Sequence, residues 1–149
     1  EAVAQGFELE LGRLGQSECY FLSLPRELEA KRDFMAKFLS DVGMVPTIPE
    51  GGYFMVADWS ALGYCCITGD TACISDNKVN LEQETDELKD YRFTKWMSKN
   101  VKLQGIPPSA FYSEPHKHLV ETSVRYCFIK TDEKLQQAAD ILQKWKASA

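Results

Sequence analysis

The stretch VRYCFIK, residues 124–130, carries the side chain with the most chemical promise. Its β-branched and aromatic residues predict a strand, with Val124, Tyr126 and Phe128 on one face and Arg125, Cys127 and Ile129 on the other. Apart from Arg125 both faces are apolar, so the strand is expected to be covered on both sides. A guanidinium keeps its proton, and desolvating it costs on the order of several kcal/mol unless an anion meets it. Two anions fit. One is a ligand carboxylate, gripped through two parallel hydrogen bonds by the planar fork. The other is an internal partner, with Asp58 at the end of the other apolar strand as the candidate.

Three further stretches hold residue types that do chemistry. In EGGYF (50–54) the two glycines allow a positive-φ turn and a close backbone approach to a ligand, or simply a tight turn feeding core aromatics. In IPPSAFY (106–112) a stiff loop presents Phe111 and Tyr112, and a plain structural loop is the competing reading. His116 and His118, in PHKH, would share one side of an extended segment and, with Cys65, Cys66 and Cys73, evoke zinc. Their spacing matches no CxxC or HxxxH pattern, so no metal site is expected. The adjacent Cys65 and Cys66 read as loop thiols. No P-loop and no GxGxxG is present.

These residues need elements to position them. A helix is expected over 1–14, with Val3, Phe7 and Leu11 in one stripe and Gly15 at its end. Ser23 is a candidate cap for a second helix with Pro25 in its first turn, a buried stripe of Leu28, Met35, Phe38, Leu39 and Val42, and Gly43 as the terminator. Strands are expected near 44–47, 52–58, 103–106 and 123–130. Residues 60–86 show neither period and read as a long, partly mobile excursion. It leads into a helix with Thr85 as cap, Asp86 and Glu87 in the first turn, and Tyr91, Phe93, Trp96 and Met97 on the buried side. A last helix begins near Thr131, has Asp132 and Glu133 in its first turn, and buries Leu135, Ala138, Leu142 and Trp145. The fold class is α+β in two layers: a small mixed or antiparallel sheet covered by helices.

Composition narrows the function. The 149 residues, 44% of them hydrophobic, are enough for one domain with a real core. Seventeen basic against 22 acidic residues give a net charge of −5, with no basic stripe. Nucleic acid and membrane surfaces are therefore disfavoured as partners. No apolar run nears the roughly 20 residues needed to span a bilayer. Five cysteines without framework spacing point to a reducing compartment. The chain is helical from its first residue with nothing to cap it, so it is expected to be a piece of a longer protein.

The order of segments is more telling than any one of them. QSECYFLSLPRELEAKRDFMAKFLSDVGMVPTIPEGGYFMVADWS (16–60), YRFTKWMSKNVKLQGIPPSAFY (91–112), VRYCFIK and a closing amphipathic helix together resemble the C-terminal part of fold-type I aminotransferases dependent on pyridoxal phosphate. The resemblance is to the branch of kynurenine aminotransferases, glutamine transaminase K and cysteine-S-conjugate β-lyases. It covers nearly the whole chain except the cysteine-bearing insert around 62–80.

The resemblance implies that Arg125 grips the substrate's α-carboxylate and that Tyr53 and Phe54 lie on the substrate side of the cleft. It implies residues 1–14 as the end of an interdomain helix and 15–149 as the small substrate domain, with the large cofactor-binding domain absent. The family's lysine that bonds pyridoxal phosphate stands in a Ser-x-x-Lys-type loop of the large domain; that spacing occurs here at Ser75–Lys78, within the insert that the resemblance does not cover, and the resemblance gives none of the twelve lysines that part. The chain alone is therefore expected to bind no cofactor, to have no catalytic residue of its own and to be inactive. For the full-length protein the resemblance implies amino-acid and 2-oxo-acid substrates, a homodimer, a β-lyase side activity and a cytoplasmic location, with a mitochondrial transit peptide as the alternative. The competing expectation is a free-standing α+β interaction module in which Arg125 is sealed in a structural ion pair.

Overall fold

The computed structural model describes residues 1–62, 64–66, 79–81 and 87–148. Helix α1 (Ala2–Leu11) stops at Gly12, short of the expected 14, and Gly15 takes φ +85° in the turn beyond it. None of its residues is buried. The Val3–Phe7–Leu11 stripe faces outward, and the Phe7 ring stacks on Phe21 at 6.0 Å.

Helix α2 (Tyr20–Asp41) begins three residues ahead of Ser23, so Pro25 lies inside it rather than in its first turn. The reason is a cap that no local pattern reveals. The Glu10 carboxylate, ten residues back, accepts the Tyr20 N–H at 2.6 Å and supplies the acceptor that Ser23 was expected to provide. At the other end the expectation holds. Gly43 has φ +95° and donates to Ser40 O, while Met44 donates to Leu39 O, the paired bonds of a Schellman turn.

Strands β1 (Val45–Thr47) and β2 (Phe54–Asp58) follow, the second entered through Gly52 at φ +76°. Within the expected excursion the chain forms β3 (Tyr64–Cys66) and β4 (Val79–Leu81), a short parallel pair. The rest of that stretch, with the expected cap at Thr85 and the first-turn Asp86, lies outside the described residues. Helix α3 (Lys89–Trp96) passes into a wider π-turn over Met97–Val101, which Lys102 closes in the left-handed conformation. Then come β5 (Ser123–Cys127) and α4 (Asp132–Ser148).

β1, β2 and β5 make an antiparallel sheet in the order β1-β2-β5, with Val56 opposite Arg125 and Phe54 opposite Cys127. The expected strand at 103–106 shrinks to a single pairing between Ile106 and Arg125. Pro107 has no N–H to continue the ladder, and the left-handed Lys102 turns the chain away before it. One face of the sheet is sealed: Met55, Ala57, Val124, Tyr126 and Phe128 pack against Met35, Phe38 and Leu39 of α2, Phe93 and Met97, and Leu135, Ala139 and Leu142 of α4. Each fully buried side chain of this size contributes roughly 1.5–3 kcal/mol. Trp59 stacks flat on Phe93, centroids 4.2 Å apart. On α4 the innermost small residue is Ala139, with Ala138 and Trp145 packed at the core's rim.

The architecture is thus α+β in two layers. β5, however, is covered on one side only. Cys127 is half-buried and Ile129 exposed, so the face that carries Arg125 remains open.

Candidate carboxylate-binding site

Arg125 sits in the middle of β5, flanked on both edges. Its backbone exchanges two hydrogen bonds with Ile106, each 2.9 Å, and Val56 stands opposite on β2. The base of the side chain is therefore fixed by the sheet. Its tip is fixed by two rings. The guanidinium carbon lies 4.2 Å from the centroid of Phe54 and 4.2 Å from that of Phe111. A cation over an aromatic face gains about 0.5–2 kcal/mol, and two such contacts restrain the fork without neutralising it.

No acidic side chain among the described residues pairs with Arg125, and its buried Nε has no partner. Asp58 is otherwise engaged. Its two oxygens accept the Ser60 N–H at 2.9 Å and the Ser60 hydroxyl at 2.7 Å. Burial pushes the Asp58 carboxyl up, but the hydrogen bonds from Ser60 and from Thr122 outweigh it and leave the group below the usual carboxylate range. A groove of about 600 Å³ reaches Arg125 at the edge of β5, lined by Phe54, Ile106 and Cys127 and, from the core side, by Met35, Tyr126 and Leu135. A cation that is oriented, unpaired and beside an opening is equipped to take an anion, and its planar fork favours a carboxylate held by two bonds.

The other residues singled out by sequence divide. Phe54 meets Arg125 directly. Tyr53 does not: its ring lies against Phe54, centroids 4.6 Å apart, while its carbonyl accepts the Phe128 N–H. His116 and His118 stand in a 3₁₀ helix (Glu114–Val120), not in an extended segment, and residues two apart on such a helix point to different sides. His116 shares a hydrogen bond with Ser113 Oγ at 2.8 Å. The side chains of Cys65, Cys66 and Cys73 lie outside the described residues.

Sequence reasoning missed the role of Phe111, although the stiff Pro107-Pro108 step that presents it was visible. It also missed Asp90, fully buried at the start of α3, which accepts the N–H of Ser109 at 2.9 Å and that of Tyr91 at 3.0 Å. None of the lysines among the described residues is buried.

The fold defines a class. A TM-score of 0.69 and 25% identity relate the chain to Bna3p of Saccharomyces cerevisiae, a candidate kynurenine aminotransferase, over 86% of this chain and 28% of that one. YbdL of Escherichia coli, a methionine aminotransferase, gives 0.61 at 26% identity over 87% of this chain and 27% of its own. The fold is shared with one portion of these aminotransferases.

Sequence refines the class. The chain is 46% identical over 146 residues to kynurenine–oxoglutarate transaminase 3 of Rattus norvegicus, covering 98% of itself and 29% of that protein. Identity is 45% to the Homo sapiens transaminase 3, with 97% of the chain against 29% of the relative. It is 41% to transaminase 1 of Rattus norvegicus, with 97% against 31%. No family model matches. By sequence and fold the chain is similar to one portion of the kynurenine–oxoglutarate transaminases, and it spans less than a third of the length of these curated relatives.

Proposed function

We propose that this chain is the substrate-domain segment of a pyridoxal-phosphate-dependent transaminase that acts on kynurenine and related aromatic, glutamine-like or sulfur amino acids with a 2-oxo acid as acceptor. Arg125 receives the α-carboxylate of each substrate in turn, and Phe54, with Tyr53 behind it, borders the side-chain space. The observation that carries this reading is the state of the guanidinium: steadied by two rings, without an acidic partner among the described residues, and reached by a groove. Transamination breaks a bond at Cα that must stand perpendicular to the cofactor ring. Fixing the carboxylate sets that torsion before any bond breaks. In this reading pyridoxal phosphate and its lysine belong to the remainder of the protein. The outward apolar stripe of α1 fits a helix that continues toward that remainder and is covered by it. The full-length protein is read as a homodimer, with β-elimination from cysteine S-conjugates as a side reaction.

Kinetics of the full-length enzyme test this. Arg125→Ala removes roughly 2–4 kcal/mol of charge-assisted contact, so KM for amino acids rises about 30-fold or more while the cofactor's absorption band survives. Unchanged kinetics would reject the assignment. The segment alone is expected to have no transaminase activity. A visible-edge band on adding pyridoxal phosphate to it, abolished by replacing one lysine, would contradict that part.

A further inference from the structure

Phe111 poses a problem of placement. The residue is 62% exposed, so core packing does not hold it, yet its ring centroid lies 4.2 Å from the Arg125 guanidinium. Its position must come from the backbone that carries it, the short 3₁₀ turn Pro108–Phe111. That turn is pinned at one point from the far side. The Ser109 N–H donates to Asp90 Oδ2 at 2.9 Å, across 19 residues of chain, and both residues are fully buried. The second carboxylate oxygen accepts the Tyr91 N–H at 3.0 Å, so Asp90 is held at the start of α3, where the helix dipole favours a negative charge. The Ser109 hydroxyl has no partner, which leaves the backbone amide as the turn's polar anchor.

A buried carboxylate is an expensive way to fill space; an apolar side chain of that size would pack at less cost. What it adds is direction. A charge-assisted hydrogen bond is short and angle-dependent, and it fixes the turn in a way that dispersion contacts do not.

We propose that Asp90 is a positioning residue for the carboxylate receptor: through the Ser109 amide it sets the 108–111 turn, and so presses Phe111 against Arg125 and aims the fork. This rests on reading Arg125 as the substrate's carboxylate clamp. A clamp displaced by about 1 Å loses much of its worth, because both hydrogen bonds to a carboxylate need the fork in one orientation.

The test is a double-mutant cycle in the full-length holoenzyme, with Arg125→Ala as the reference. Asp90→Asn leaves the size unchanged but removes the charge; Phe111→Ala removes the ring. Each single variant is expected to raise KM for the amino acid about 3- to 10-fold with kcat within about twofold and the cofactor band unchanged. The double variant is expected to be no worse than Phe111→Ala alone, because Asp90 acts through that ring. Asp90→Ser, which cannot reach Ser109, serves if Asp90→Asn does not fold. Multiplying effects, or a lowered melting temperature with KM untouched, would overturn the proposal, as would failure of both Asp90 variants to fold, which assigns the carboxylate to the core alone. If Arg125→Ala itself leaves KM unchanged, the clamp reading fails instead, and the two failures are told apart.

Discussion

In the role proposed for it, Arg125 acts through its shape as much as its charge. Lysine would keep the charge but lose the planar fork and much of the stacking on Phe54 and Phe111. Arg125→Lys is therefore expected to raise KM for amino acids in the full-length enzyme at least about tenfold, nearer to alanine than to wild type, as read from initial rates. On the opposite face of the same strand, Tyr126 hides its hydroxyl with no partner, and burial pushes that phenol's pKa up. Tyr126→Phe removes an unsatisfied group, so stability in urea is expected to hold or improve, by up to about 1 kcal/mol. The pH consequence has a definite sign. A raised pKa means that the fold favours the neutral phenol, so its contribution is fully present below the unfolded value of about 10 and is lost as pH rises beyond it. Alkaline titration of stability should show a decline above pH ~10 that Tyr126→Phe reduces.

Elements are joined here by contacts that reach across the sequence. Helix α2 is capped by Glu10, so Glu10→Ala is expected to cost about 0.5–2 kcal/mol and to unprotect the first-turn amides of α2 in hydrogen exchange. The segment that brings Ile106 to β5 passes so close to the core that a Cβ on Gly105 would lie 2.3 Å from Val124 Cγ2 and 3.0 Å from Tyr126 Cε1. Gly105→Ala is therefore expected to destabilise by about 1–3 kcal/mol or more, measured by chemical denaturation, because both contacts belong to a packed core with nowhere to yield. The helix stripes were legible in sequence: Met35, Phe38, Leu39 and Val42 recur at helical spacing, and all are buried. The start of α2 and the lost strand at 103–106 were not. A cap from ten residues away and a ladder cut short between a left-handed lysine and a proline leave no periodic signal.

At the scale of the whole molecule the asymmetry of the sheet matters most. One face is closed by α2, α3 and α4, and the other displays Arg125 between the rings of Phe54 and Phe111. The chain also displays apolar surface on α1, where Val3 is 73% and Leu14, just beyond the helix, 60% exposed. Apolar surface of this kind favours association. The chain in isolation is expected to associate as its concentration rises in sedimentation experiments, and replacing Phe7 and Leu11 by serine should weaken that tendency.

Composition and order of segments alone determined the two-layer α+β class and the likeness to aminotransferases. They also set the strand carrying Arg125 and the aromatic residue types near it. All of these follow from side-chain period and local turn chemistry, which are written in consecutive residues. Whether the arginine would be spent on an acidic neighbour was decided only in three dimensions. Asp58 is turned to Ser60, while Phe54 from the adjacent strand and Phe111 from a turn tied to Asp90 converge on the guanidinium. Such convergence depends on sheet register and on hydrogen bonds across many residues of chain, and no local pattern encodes either.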